Sequence, residues 1–176
     1  MRTFTVVDAL DLAAAYAAAR YGVRVDVAPL SLRVGERATE LERQWPAQSY
    51  MFITAWNPAS NPRPDDANHA ADALLTARLD ELGIARRPAW AESPDGQWHE
   101  PGWLLAEVDD TTANQLGLAF GQAAILVWAS GEPVTVRMLM SDPRTGHVSA
   151  TGRRMPANVA ASVHWSGDHR DIPANA

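Results

Sequence analysis

The chain has 176 residues, no cysteine and a formal net charge of −6. Its hydrophobic fraction of 47% is enough for one folded domain and too high for a disordered chain. The negative charge argues against broad binding to nucleic acid or to an anionic membrane surface. The lack of cysteine excludes disulfide bonds, thiolate metal sites and a cysteine nucleophile.

Residues 1–48 are predicted to form an N-terminal helical and strand extension of a single domain that spans residues 1–140. Its predicted elements, in chain order, are a helix over 8–21, strands over 23–27 and 30–34, and a short helix over 36–45. Gly22 is expected to end the first helix, and Pro29 to mark a break or a sheet edge between the two strands. We expect this extension to lengthen the central sheet or to cover one of its faces.

Residues 49–140 are predicted to form the core, which begins with an unbroken apolar run over 50–53. Such a run predicts a strand that is buried on both faces and central to the sheet. The elements predicted after it are a helix over 65–82, strands over 86–92 and 103–108, a helix over 110–121, and strands over 123–128 and 134–140. This order predicts an α+β domain with a ferredoxin-like split βαβ mixed sheet, and another mixed sheet of the same elements is the alternative. Residues 141–176 are predicted to be a C-terminal tail that wraps the domain, exchanges with a partner or stays loose.

Four motifs with a defined order and spacing lie in this core. They are Phe52-Ile53-Thr54-Ala55-Trp56-Asn57-Pro58, then Asn68 at a helix start, then Pro94-Asp95-Gly96 with Trp98 and Glu100-Pro101, then Phe120-Gly121-Gln122 with Ala124. Together they resemble a family of small bacterial proteins known only as a domain of unknown function, over roughly residues 20–140. In that family's pattern an arginine and an asparagine follow Asn68, where this chain has Ala71 and Asp72. The resemblance implies the fold and the choice of candidate residues, and it implies no reaction.

One candidate site lies where the central strand leaves the sheet. We expect Thr54, Trp56, Asn57 and Asn68 to gather at this edge, together with the start of a second helix at 109–111. Helix N-termini offer free N–H groups, so the edge suits a small anionic or amide-bearing ligand. The alternative is local: Asn57 holds the turn and the aspartates cap their helices.

A second candidate site is expected at the opposite edge of the sheet. Trp98 offers an aromatic platform there, Gln122 an amide, and His99 and Glu100 are candidates for a general base in proton transfer. Adjacent strand residues point to opposite faces, however, so His99 and Glu100 are not expected to act together. The alternative is a hairpin loop with solvated charges.

No cofactor and no metal are expected, because the sequence carries no phosphate loop, dinucleotide fingerprint or nucleophile elbow. His164, Asp168 and His169 offer ligating groups, but their spacing is not that of a zinc site.

Three functions remain open. The first is a small-molecule-binding or accessory domain with polar contacts at the strand exit. The alternatives are a cofactor-independent enzyme that uses a carboxylate or histidine base, and a protein-interaction module that acts as a homodimer. No apolar segment approaches the ~20 residues of a membrane span, and aspartates interrupt the N-terminal apolar stretch, so a cytoplasmic location is expected.

Overall fold

The computed structural model describes residues 9–26, 28–140 and 157–166. Its helices and strands, in chain order, are α1 (Ala9–Ala18), β1 (Arg20–Arg24), β2 (Pro29–Leu32), α2 (Thr39–Gln44), β3 (Ser49–Ile53), a 3-10 turn (Pro58–Ser60), α3 (Asp65–Glu81), β4 (Arg86–Glu92), β5 (His99–Ala106), α4 (Asp110–Ala119), β6 (Ala124–Ala129), β7 (Thr135–Met138), α5 (Ala157–Ala160) and β8 (Val163–Trp165).

The predicted central strand, β3, lies between β5 and β6 and is antiparallel to both. Successive side chains of a strand point to opposite faces of its sheet. Tyr50 and Phe52 are buried in the cluster on one face, and Met51 and Ile53 in the cluster on the other. The prediction that this strand is buried on both faces is therefore confirmed.

The strands form one mixed sheet in the order β2-β1-β4-β5-β3-β6-β7-β8. Within the described ranges, neighbouring strands run antiparallel except for the parallel pair β7 and β8. The helix α3 connects β3 to β4, and α4 connects β5 to β6. The predicted α+β class is confirmed.

Helices cover both faces of the sheet. Leu75 and Leu79 of α3 and Leu116 of α4 pack in one cluster, while Ala13 of α1 and Leu41 of α2 pack in the other. The N-terminal extension thus does both things expected of it, because β1 and β2 lengthen the sheet beside β4 and the two helices cover a face.

The sequence pattern places Leu74, Leu75, Leu79 and Leu82 on one apolar face of the helix predicted over 65–82, and this is wrong for two of them. Leu74 is 67% exposed, and Leu82, which follows the end of α3, is 41% exposed. At 3.6 residues per turn, Leu74 and Leu75 lie about 100° apart around the helix axis, and only Leu75 faces the sheet.

The sheet curls strongly, so that the segment after β2 meets the start of β7. The backbone N–H of Gly35 donates to the carbonyl of Val134 at 2.8 Å, and the N–H of Val134 donates to the carbonyl of Glu36 at 2.9 Å. The cluster of Tyr50 and Phe52 lies on the side of the sheet that also receives α1.

Gly22 was expected to end the first helix, and this was wrong. The helix α1 ends at Ala18, and Gly22 lies inside β1, opposite Trp90 of β4. A Cβ atom on Gly22 would lie 2.1 Å from the Trp90 ring, so this glycine allows the close approach of a large side chain. Pairing with β4 therefore decides the conformation of this segment.

Two other boundaries also differ from the prediction. The strand β5 begins at His99, four residues before the predicted start, because it pairs with β4 from Glu92 onwards. In the tail, Val163–Trp165 pairs with β7, and Val163 is buried, so this part packs on the domain. The remaining tail residues, 141–156 and 167–176, lie outside the described ranges.

Candidate functional site

The chain leaves β3 through a short polar segment that is tied to β5. The hydroxyl of Thr54 donates to the carbonyl of Pro101 at 2.7 Å and accepts from the backbone N–H of Trp56 at 3.0 Å. Thr54 is buried, so both polar partners are needed to satisfy its hydroxyl. These bonds hold the strand exit against the first residues of β5.

Asn57 is the centre of a hydrogen-bonded network that joins the exit to α3. Its backbone N–H donates to Asn68 Oδ1 at 2.9 Å, and Asn68 Nδ2 donates to Asn57 Oδ1 at 3.1 Å. The backbone N–H of Arg63 also donates to Asn57 Oδ1, at 2.9 Å. Asn68 is only 1% exposed. This buried, reciprocal pair fixes the loop between Asn57 and Arg63.

The same loop has an unusual backbone. Asn57, Ala59 and Ser60 all have positive φ angles, of 44°, 53° and 58°. Asparagine adopts this left-handed region with little strain, but alanine and serine do so at a cost. Strained backbone of this kind persists where the surroundings over-determine it, and it concentrates at functional sites.

Glu100 completes the network from β5. Its Oε1 accepts a hydrogen bond from Asn57 Nδ2 at 2.6 Å, and its side chain is 3% exposed. Burial raises the pKa of Glu100 from 4.5 to about 7, while hydrogen bonds from the Asn57 and Trp98 side chains act in the opposite direction. Glu100 is therefore a carboxyl group that gains or loses its proton close to neutral pH.

Two tyrosines from the N-terminal extension face this carboxyl group. The hydroxyls of Tyr16 and Ser60 lie 3.0 Å apart, and the Tyr21 hydroxyl donates to the Tyr16 carbonyl at 2.8 Å. Burial raises the pKa of both tyrosines, and the neighbouring charge of Glu100 raises each further. Both phenols stay neutral at physiological pH.

A cavity of about 280 Å³ opens beside these groups, between α1 and the turn that connects β4 to β5. Leu12, Tyr16, Ser60, Pro94 and Trp98 are among the residues that line it, and none of its described lining residues carries a charge. The surface of this cavity is almost entirely apolar.

A second, much smaller space lies deeper in the domain. It has a volume of about 10 Å³ and is bordered by Glu100, Thr54 and Tyr21, with Tyr16 and Trp98 again part of its wall. Tyr16 and Trp98 therefore border both spaces and stand between the apolar cavity and Glu100.

The two candidate sites were expected at opposite edges of the sheet, and this was wrong. Glu100 bonds to Asn57, and Gln122 Nε2 donates to the Trp56 carbonyl at 3.3 Å, so both predicted groups meet at one edge. The physical reason is that β5 and β6 run antiparallel to β3, which brings their first residues to the end of β3.

The start of α4 was expected at this edge and lies at the other one. Ser49, at the beginning of β3, donates to the carbonyl of Val108 at 2.9 Å. Asp109 caps α4 by accepting from the Thr112 N–H at 2.7 Å, and Asp110 pairs with Arg137. Asp109 therefore has the capping role of the alternative interpretation. Asp110 instead pairs with a residue 27 positions away, and α3 has Pro64 at its N-cap with no side-chain cap bond.

His99 does not join the network. It is exposed, while the next residue, Glu100, is buried, which confirms that they point to opposite faces of β5. Trp56 is half-buried and packs edge-on against His69, with 5.2 Å between the ring centroids. Of the predicted site residues, His99 is thus the one that the fold separates from the rest.

Sequence reasoning missed Tyr16, Tyr21 and Ser60. Tyr16 and Tyr21 both lie within the helix predicted over 8–21, and Ser60 lies in the loop after the central strand. Nothing local marks the two tyrosines as neighbours of Glu100, because Tyr16 reaches it through the packing of α1 and Tyr21 through the pairing of β1 with β4.

Residues 53–125 match the model of a family described as a protein of unknown function, DUF3293. The resemblance to a domain of unknown function is therefore confirmed. No curated protein and no solved structure matches the chain. Among the described residues, no group of three or more histidine, aspartate or glutamate side chains is placed to hold a metal ion. Nor does any helix in the described ranges have the length and apolar character needed to cross a membrane.

Proposed function

We propose that this protein, in which residues 53–125 match a family of unknown function, is a small-molecule-binding domain. The binding site is the cavity of about 280 Å³ between α1 and the β4–β5 turn. The proposal depends on one observation above all: this apolar cavity adjoins a buried, fully hydrogen-bonded polar network at the end of β3. Binding sites for small molecules combine an apolar lining with a few positioned polar groups in this way.

The polar network orders the part of the cavity wall that Ser60 forms. Asn57, Asn68 and Glu100 hold the loop that carries Ser60, and Ser60 lines the cavity together with Tyr16. These groups are already ordered before a ligand binds. Binding therefore costs less conformational entropy than it would at a flexible site. As parts of the same proposal, we infer that the core is ferredoxin-like and that the protein is cytoplasmic.

A thermal-shift screen against a metabolite library tests this function. Ala15 is an exposed residue of α1 on the cavity wall, so Ala15→Trp fills the cavity without disturbing the buried core. Ala73→Trp places the same side chain at an exposed position of α3, outside the cavity lining, and serves as the matched control.

A compound that binds the cavity raises the melting temperature of the wild type and of Ala73→Trp, and leaves Ala15→Trp unchanged. The proposal is wrong if no compound stabilises the wild type, or if the stabilisation persists in Ala15→Trp.

An enzyme without a cofactor is the second candidate, and the raised pKa of Glu100 favours it. A general base works best when its pKa lies near the working pH, and burial brings the pKa of Glu100 to about 7. Because Tyr16 and Trp98 stand between this carboxyl group and the cavity, a substrate would reach it only after these side chains move.

Mass spectrometry of a stabilising compound after incubation with the protein separates binding from catalysis. An enzyme converts the compound, and Glu100→Gln abolishes the conversion while the thermal shift remains. Recovery of the unchanged compound from the wild type contradicts the enzyme hypothesis.

A homodimeric interaction module is the third candidate. Leu74 of α3 and Leu118 of α4 are 67% and 61% exposed, which is high for large apolar side chains. Light scattering after size-exclusion chromatography tests it. A dimer mass that Leu74→Glu converts to a monomer mass supports this function, and a wild-type monomer contradicts it.

A further inference from the structure

The cavity beside α1 has a lining that discriminates between ligand charges. None of its described lining side chains is charged, and the nearby Arg20 is paired with Glu92 at 3.2 Å. A carboxylate or ammonium group inside the cavity would lose its water without gaining a partner of opposite charge. The lining therefore selects a neutral ligand.

The hydroxyl groups of Tyr16 and Ser60 form a hydrogen-bonded pair in the wall of the cavity beside α1. One hydroxyl donates to the other across 3.0 Å. Each hydroxyl has one hydrogen and two acceptor lone pairs, so the pair still offers one hydrogen and several lone pairs to a ligand. A ligand hydroxyl, which donates and accepts at the same time, complements that arrangement.

The size of the cavity limits the body of the ligand. An apolar cavity of about 150 Å³ can hold one benzene molecule. The cavity of about 280 Å³ therefore has room for one six-membered ring with substituents. The rings of Tyr16 and Trp98 form part of the wall and suit contact with a flat ring.

We propose that the cavity takes a neutral, single-ring compound with a hydroxyl group, of the phenol type, and that this hydroxyl bonds to the Tyr16–Ser60 pair. This inference rests on the proposed function, since it names the ligand class of the same cavity. It assigns Tyr16 and Ser60 as the residues that determine specificity.

Fluorine NMR titrations with four probes of similar size test the ligand class. The probes are 4-fluorophenol, 4-fluorotoluene, 4-fluorobenzoate and 4-fluorobenzylamine, at neutral pH. In a purely apolar cavity, 4-fluorotoluene binds best, because its methyl group is more hydrophobic than a hydroxyl. We expect instead that 4-fluorophenol binds roughly threefold to tenfold more tightly than 4-fluorotoluene, and the two charged probes more weakly than both.

Hydroxyl deletions show whether the preference arises at the proposed pair. Tyr16→Phe and Ser60→Ala keep the apolar body of the cavity, so 4-fluorotoluene is expected to bind to both variants as before. Each single variant leaves one hydroxyl and is expected to weaken the preference for 4-fluorophenol, and the double variant is expected to remove it. Ser130→Ala removes an exposed hydroxyl beyond the end of β6 and is the matched control.

The outcomes for the ligand class and for the proposed function are separate. If 4-fluorotoluene binds as tightly as 4-fluorophenol, the phenol class is wrong while the cavity remains a binding site. If the preference for 4-fluorophenol survives in the double variant, the assignment of Tyr16 and Ser60 as the residues that determine specificity is wrong. If none of the four probes binds, the phenol class is also wrong, and the library screen with Ala15→Trp decides the proposed function by itself.

Discussion

Replacing Glu100 with glutamine is expected to remove a pH dependence from the free energy of unfolding. Glutamine has the shape of protonated glutamate, and its Oε1 can still accept the hydrogen bond from Asn57 Nδ2. Its amide nitrogen cannot accept the hydrogen bond that the Trp98 side chain donates to Glu100, but this difference in the variant is the same at every pH. The pH dependence of the stability difference therefore reports the group that titrates.

The size and sign of the effect follow from the raised pKa of Glu100. Below about pH 4.5, Glu100 is protonated in both the folded and the unfolded protein. Its contribution to the free energy of unfolding is then fully present. As the pH rises through about 7, the buried carboxyl ionises and this contribution is lost. At about 1.36 kcal/mol per pH unit, the interval from 4.5 to about 7 corresponds to a loss of about 3 kcal/mol.

Urea unfolding between pH 4.5 and 8.5 measures this effect as a difference between two proteins. Tyr16 and Tyr21 face Glu100, but their raised pKa values keep them neutral over this range. We expect Glu100→Gln to become progressively more stable than the wild type as the pH rises, by up to about 3 kcal/mol.

Glu132→Gln is the matched control, because Glu132 is an exposed carboxylate in the turn after β6. It shows how a glutamate-to-glutamine substitution at an exposed position behaves over the same pH range. A Glu100→Gln difference that does not change with pH would refute the reasoning, since it would mean that burial does not disfavour the charged form of Glu100.

Three further predictions concern the packing around the site, and chemical denaturation measures each. Asn68→Ala leaves the backbone N–H of Asn57 without its acceptor and is expected to destabilise the fold by about 1–3 kcal/mol. An effect below about 0.5 kcal/mol would show that water replaces this hydrogen bond. Gly102→Ala places a Cβ atom 2.6 Å from the carbonyl oxygen of Ile53 and is expected to destabilise by about 1–3 kcal/mol, so wild-type stability would contradict this packing. Leu79→Ala empties a fully buried position of α3 and is expected to destabilise by about 2–5 kcal/mol, and a loss of under 1 kcal/mol would place Leu79 outside the core.

Local patterns predicted most of the core elements. The apolar run over 50–53 identified the central strand, and the helix predicted over 65–82 corresponds closely to α3, Asp65–Glu81. These signals depend on residues that are close in the sequence, such as an apolar run or an apolar period of 3.6 residues. Gly22 shows their limit: its local context is typical of a helix end, yet pairing with β4 places it inside a strand.

The candidate residues were also visible in the sequence, but their grouping was not. Residue type and the family resemblance together identified Thr54, Asn57, Asn68, Glu100 and Gln122, and these residues were assigned to two separate edges.

The sequence by itself determined that the chain forms an α+β domain around a strand buried on both faces, with a conspicuous polar exit. Only the tertiary structure decided that Asn57 and Glu100 lie 2.6 Å apart, and that Tyr16 and Ser60 line one apolar cavity beside them. Strand direction and helix docking are set by contacts between residues far apart in the chain. No local pattern encodes such contacts, because their free energy arises only when the whole sheet and its covering helices are assembled.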